Sequence, residues 1–234
     1  MKNLKNESSV DFERVLKHPK EYAKMFSEND KDLEKLLLNC LECNIQTRGC
    51  CAGHSDNGYR KYIGFSFNKE SMQELYSMVK SIINTPNEAT ISNALDGSIT
   101  ISFSNSDKRD PMLFQYLNSS LNIIDTPGEN FLKLIKIADI FGKSKYSIPK
   151  TKYNQNKWFL QITLPSNQET AKFFTNCNTI MKIFNELNGK VIEEQKLGEH
   201  HFVVYDMDNV DLDLIIEYMS DKIIPIQNHL YLKR

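Results

Sequence analysis

The segment Thr47–His54 brings two thiols, an imidazole and two glycines together in the order Thr-Arg-Gly-Cys-Cys-Ala-Gly-His. The thiolate is the reactive form of cysteine, and a nearby imidazole can take the thiol proton or stabilise the thiolate as an ion pair. We therefore predict Cys51 or Cys50 as a nucleophile and His54 as its base. The corresponding chemistry is that of a cysteine-dependent hydrolase or group transferase.

The residues around the cysteines are suited to holding a ligand. Gly49 and Gly53 allow backbone N–H groups to approach a ligand or an oxyanion closely. The Arg48 guanidinium can hold an anionic substrate or lower the pKa of a nearby thiol. We predict that Thr47, Arg48, Gly49 and Gly53 bind the substrate.

Other interpretations of the same residues stay open. In most Cys–His enzymes the two partners are distant in sequence, so His200 or His201 is an alternative base. Cys40 and Cys43 add two soft ligands to those of the segment, which makes a zinc-stabilised module an alternative. Cys40 also falls on the apolar stripe of a helix, where cysteine acts as a small hydrophobe. The plainest alternative is a cysteine packed at the end of a strand beside a histidine on a loop.

Helices and a short extended segment precede these residues. An apolar stripe over residues 10–26 is broken near Pro19, which predicts two short helices. Ser27 and Asp30 are both good N-caps for the next helix, which is expected to end at Asn44. The stretch Ile45–Cys51 is typical of a short strand or of an extended lead into a loop.

From Tyr62 onward an order of elements appears that returns about one hundred residues later. Aromatic and β-branched residues predict strands at Tyr62–Phe67 and Trp158–Leu164, each followed by an amphipathic helix. A hairpin follows at Asp96–Gly97 in the first copy and around Gly198 in the second, and another helix follows each hairpin. The chain is therefore predicted to be α+β, with two consecutive β-α-β-β-α (ferredoxin-like) units after an N-terminal helical segment.

The predicted organisation has four parts. They are the N-terminal helices, a first α+β unit with the Cys/Gly/His loop, a helix with a linker, and a second ferredoxin-like unit. They span residues 1–44, 45–125, 126–157 and 158–234, respectively. The linker before Trp158 has no counterpart to Thr47–His54, so the first unit is expected to carry the site.

Composition excludes several classes of protein. Lys and Arg number 29 against 30 Asp and Glu, whereas a protein that binds duplex nucleic acid normally shows a basic excess. No apolar run approaches the roughly 18 residues of a membrane span. Five cysteines, an odd number, do not suit a disulfide framework in a chain of 234 residues. We expect a cytoplasmic protein, or one delivered into another cell's cytosol, that takes a small-molecule or protein ligand and has no resident cofactor.

The stretch Ile45–His54, with the strand that begins at Tyr62, resembles a segment of uncharacterised bacterial and phage proteins. In those proteins a helix is followed by Thr, Cys or Cys-Cys, a small residue, Gly-His and a Tyr-Ile-x-Phe strand. More distantly, the stretch is similar to the Thr-x-x-x-Cys-Ser-Gly-Arg segment of the wybutosine-synthesis methyltransferase, which acts on a modified guanosine in tRNA. That shorter pattern is matched by Thr47, Cys51, Ala52 and Gly53, and His54 stands in place of its Arg. The resemblance implies a ligand site, and S-adenosylmethionine only through the distant pattern.

Three hypotheses follow from the sequence. The first is a cysteine-dependent enzyme that acts on a small-molecule or protein substrate through Cys51 or Cys50. The second is a non-catalytic ligand- or protein-binding module built from tandem ferredoxin-like units. The third is the zinc-stabilised module.

Overall fold

The computed structural model describes residues 12–53, 60–93, 98–105, 112–142, 150–152, 159–165, 185–187, 190–197, 200–206, 210–217 and 220. The helices are α1 (Phe12–Lys17), α2 (Pro19–Phe26), α3 (Lys31–Glu42), α4 (Met72–Ser81), α5 (Leu113–Ser120) and α6 (Glu129–Gly142). The strands are β1 (Thr47–Cys51), β2 (Tyr62–Ser66), β3 (Asn87–Asn93), β4 (Ile99–Asn105), β5 (Lys150–Lys152), β6 (Phe159–Pro165), β7 (Lys190–Leu197) and β8 (His200–Asp206). A further helical segment covers residues 212–217. This mixture of helices and antiparallel strands confirms the α+β class.

The N-terminal helices follow the predicted breaks. Pro19 begins α2 directly after α1, and Asp30 accepts hydrogen bonds from the N–H groups of Asp32 (2.9 Å) and Leu33 (3.0 Å) as the N-cap of α3. Between α2 and α3 the chain turns sharply, with Glu28 at φ 53° and Asn29 at φ 69°. No helix in the described part of the chain combines the length and apolarity that crossing a membrane requires.

The eight strands form one antiparallel sheet in the order β1-β2-β4-β3-β5-β6-β8-β7. In both halves the second strand of a hairpin is inserted, so that β4 lies between β2 and β3, and β8 lies between β6 and β7. The three-residue strand β5 joins the halves by pairing with β3 and, at one position, with β6. Of the two alternatives for Ile45–Cys51, the short strand is observed, because β1 pairs with β2 as the outermost strand.

One face of the sheet builds the core. Side chains alternate between the two faces of a strand, and the fully buried residues of β2, β3 and β4 occupy alternate positions. They are Ile63, Phe65, Ala89, Ile91, Ile101 and Phe103. This face packs in one cluster with apolar residues of α3 to α6. Burial of each large apolar side chain contributes about 1.5–3 kcal/mol, so this face is the main source of stability.

The opposite face of β2, β3 and β4, here called the polar face, carries small and polar residues. Gly64 pairs with Ser102, which pairs with Thr90, and Ser66 pairs with Thr100. At the start of β2, Tyr62 pairs with Ser104, which pairs on its other side with Glu88. The polar face therefore carries a row of hydroxyl groups and one buried carboxyl group, that of Glu88, which is 7% exposed.

Candidate functional site

Strand β1 carries most of the predicted site residues, and one irregularity decides which way they point. Thr47 pairs with Phe65 and Gly49 pairs with Gly64, so Arg48 is the extra residue of a β-bulge. A bulge shifts the alternation of side chains by one position. Thr47 therefore lies on the helix-facing side with Phe65, whereas Gly49 lies on the polar face with Gly64.

The Arg48 side chain lies against the polar face. Its Nε donates a hydrogen bond to Ser66 Oγ, and its Nη2 donates to Ser98 Oγ at 2.7 Å. Arg48 is exposed, whereas Ser66 is only 7% exposed. Two hydroxyl groups from β2 and from the residue before β4 thus hold the guanidinium in place, which puts a positive charge at one end of the polar face.

Tyr62 lies at the other end of β2, paired with Cys51, and is 44% exposed. A Cβ atom on Gly49 would lie 3.9 Å from Cε2 of Tyr62, so the ring leans over Gly49 and towards Arg48. A Cβ atom on Gly64 would lie 2.9 Å from the hydroxyl oxygen of Ser102. The paired glycines therefore give room to an aromatic ring and a hydroxyl group.

Cys50 faces the helices. It pairs with the core residue Ile63, and its thiol donates to the carbonyl oxygen of Phe26 in α2 at 3.5 Å. Burial, followed by the charge of Glu28 and the neighbouring Cys51, raises the pKa of Cys50 to about 12. At neutral pH Cys50 is therefore a protonated thiol.

Cys51 lies on the side of the polar face and is 8% exposed. Its sulfur accepts a hydrogen bond from the N–H of Gly53 at 3.4 Å, in a turn where Gly53 has φ 86°, a conformation that favours glycine. The carboxylate of Glu28 accepts a hydrogen bond from the N–H of Ala52 at 3.0 Å, and it also interacts with the Cys51 thiol. Burial and Glu28 raise the pKa of Cys51 and outweigh the hydrogen bond from Gly53, which lowers it.

The structure separates the two predicted nucleophiles. Cys50 points to α2 and Thr47 lies on the same side, whereas Arg48, Gly49 and Cys51 share the polar face. The predicted base His54 lies outside the described residues, and so do the side chains of the alternative bases His200 and His201.

Several residues of this arrangement are not among those predicted from the sequence. Ser66, Ser98 and Ser102 contribute hydroxyl groups, Tyr62 contributes a ring, and Glu28 contributes a carboxylate. The hydroxyl residues do leave a signal, because Ser98, Thr100, Ser102 and Ser104 recur at every second position of a strand.

The cysteines proposed as zinc ligands have different surroundings. Cys40 is fully buried in the core, where burial raises its pKa well above the ordinary value, and Cys43 is exposed. Among the residues that the structure describes, no group of three or more His, Cys, Asp or Glu is placed to hold a metal ion.

A cavity of about 420 Å³ lies on the helical side of the molecule, between α4 and the start of α6. Its apolar wall includes Tyr76, whose ring lies 5.0 Å from that of Phe131. The charged groups beside it are paired, since Lys80 contacts Asp125 at 3.0 Å and Glu129 contacts Lys133 at 2.7 Å. Tyr76, Glu129 and Asn130 supply the polar groups of its lining.

Comparison with protein-family models, curated proteins and solved structures gave no match to this chain.

Proposed function

We propose that this chain is a non-catalytic ligand-binding module that holds an anionic small molecule on its polar face, with Arg48 as the anion-binding residue. The observation that carries the proposal is the position of the Arg48 side chain, held on the face by Ser66 and Ser98. A guanidinium is the group best suited to phosphate and carboxylate oxygens, because its planar donors match their geometry. The hydroxyl groups around it can donate to the same anion.

The surroundings of the cysteines support a binding role over thiol catalysis. Reactive cysteines lie near positive groups that lower the thiol pKa. Here burial and the negative charge of Glu28 raise the pKa of both Cys50 and Cys51. The segment around them shapes the edge of the polar face.

The fold proposal is that the two halves are tandem ferredoxin-like units. The insertion of β4 between β2 and β3, and of β8 between β6 and β7, supports it, because this is the strand order of a split β-α-β motif. In the first unit the remaining outer strand is β1, which comes before the motif in the chain. Such a unit packs its helices on one face of the sheet.

Anion binding by matched charge variants tests the proposal. Isothermal titration calorimetry with phosphate, pyrophosphate and citrate is done on the wild type, Arg48→Met and Arg60→Met. Arg60 is also exposed, so both variants lose one surface charge. Because a hydrogen bond to a charged group contributes about 1.5–3 kcal/mol, Arg48→Met should weaken binding at least tenfold and Arg60→Met should not. Equal affinities in the two variants, or no saturable binding by the wild type, would contradict the proposal.

Thiol chemistry at Cys51 is the second candidate, and the hydrogen bond from the N–H of Gly53 to the sulfur favours it. A backbone donor stabilises a thiolate. If Cys51 is a nucleophile, iodoacetamide at neutral pH should modify it before the exposed Cys43, as read by peptide mass spectrometry. Modification of Cys43 first counts against this candidate.

A further inference from the structure

We propose that the ligand of the polar face is a nucleotide whose base stacks on Tyr62 and whose phosphate binds Arg48. This inference rests on the proposed anion-binding function and adds the chemical class of the ligand. Its basis is the placement of an exposed aromatic ring and a guanidinium on one sheet face.

Tyr62 has the surroundings of a stacking platform. The ring leans over Gly49, so the backbone of β1 supports it from below, while 44% of the residue remains exposed. Aromatic rings supported in this way bind bases of any identity through their faces. Because Gly49 lacks a side chain, the ring can lie over β1 and towards Arg48.

The spacing between ring and guanidinium fits a nucleotide. Tyr62 and Ser66 are the two ends of β2, and a rise of about 3.3 Å per residue separates them by about 13 Å. The ring reaches Gly49, which pairs with Gly64 at the middle of β2. From Gly64 to Ser66, where the Arg48 guanidinium is held, two residues of strand span about 7 Å. A ribose fills such a gap between a base and its first phosphate.

The middle of the face offers a partner for the sugar. Ser102 Oγ lies 2.9 Å from the position of a Cβ atom on Gly64, so this hydroxyl lies over the centre of β2. A serine hydroxyl can both donate and accept, as ribose hydroxyls require. Ring and hydroxyl therefore lie side by side in the row of Gly64, and the guanidinium lies about two residues further along β2, in the row of Ser66.

Calorimetric titrations with AMP, UMP and inorganic phosphate test the inference on the wild type, Tyr62→Leu, Tyr62→Phe and Arg48→Met. AMP and UMP should bind the wild type at least tenfold more tightly than phosphate does. Tyr62→Leu should weaken nucleotide binding at least fivefold and leave phosphate binding unchanged, because base stacking is lost, whereas Tyr62→Phe should bind like the wild type. Circular dichroism and thermal melting show whether Tyr62→Leu keeps the fold, and the affinity of the wild type for AMP relative to phosphate provides the readout if it does not.

The outcomes separate the two proposals. If phosphate binds as tightly as AMP and neither Tyr62 variant changes either affinity, the nucleotide inference is wrong and the anion-binding proposal stands. If Arg48→Met binds phosphate like the wild type, the anion-binding proposal is wrong. If an oligothymidylate binds more than tenfold more tightly than the mononucleotides, the ligand is a single-stranded nucleic acid and the mononucleotide inference is overturned.

Discussion

The reactivity of Cys50 separates a binding module from a thiol enzyme. Burial, with the charge of Glu28 and the neighbouring Cys51, raises the pKa of the Cys50 thiol from 9.0 to about 12. At pH 8 the thiolate fraction is about one in ten for the first value and about one in ten thousand for the second. Because the thiolate is the species that reacts, native Cys50 should be alkylated about a thousandfold more slowly than in the unfolded chain.

Alkylation of a Cys51→Ala variant tests this, because the peptide then reports Cys50 alone while burial and Glu28, the two larger causes of its raised pKa, remain. Iodoacetamide labelling is timed by mass spectrometry from about pH 7 to pH 10, in native buffer and in concentrated urea. The native rate should rise about tenfold per pH unit with no plateau, since the whole range lies below the pKa. A plateau below pH 9, or a native rate within tenfold of the unfolded rate, would refute the account of a buried, protonated thiol.

The remaining predictions concern stability and metal content. Since Cys50 and Tyr22 both have pKa values raised to about 12 by burial, the folded state holds their protons more tightly, and stability in urea should fall as the pH rises from about 9 towards 12. A flat profile over that range contradicts this. Gly64→Ala should lower the free energy of unfolding by about 1–3 kcal/mol, because its methyl group would meet Ser102 Oγ at 2.9 Å. Adding Ser102→Gly should restore most of that free energy. If the double variant is no more stable than Gly64→Ala, the contact does not cause the loss. Asp30→Ala should lower the free energy of unfolding by about 1–2 kcal/mol, because Asp30 caps α3 and pairs with Lys61 at 2.9 Å. Asp30→Asn keeps the cap and serves as the control. If both variants lose the same free energy of unfolding, capping contributes little. Elemental analysis of protein purified without added metal should find well under one equivalent of zinc, and about one equivalent would support the zinc-stabilised module.

The features that the sequence predicts correctly depend on local patterns. The break at Pro19 and the cap at Asp30 each involve a few neighbouring residues. The pairing of β3 with β4 follows from alternation around Asp96–Gly97, and the observed register runs from Asn87 opposite Asn105 to Asn93 opposite Ile99. The α+β class follows from the order of these elements.

The environment of the cysteines could not be predicted in the same way, because it depends on distant parts of the chain. Glu28 reaches the N–H of Ala52 from the turn between α2 and α3, where Glu28 and Asn29 adopt left-handed conformations. The sequence predicts that Arg48 either holds an anionic substrate or lowers the pKa of a nearby thiol. In the structure Arg48 is held by Ser66 and Ser98, and the charge that acts on Cys51 is that of Glu28, so the direction of the shift reverses.

The bulge at Arg48 is the feature that assembles the candidate site. In a regular strand that starts with Thr47 against the core, strict alternation would place Gly49 and Cys51 towards the helices and Cys50 on the polar face. The observed register does the opposite: Cys50 pairs with Ile63 in the core, and Gly49 joins Arg48 on the polar face. Without the bulge Arg48 would pair with Gly64, so the bulge lets Tyr62 lean over a glycine instead of an arginine side chain. The composition of the polar face therefore depends on the register of β1 against β2, and the cysteines connect that strand to α2 and to Glu28.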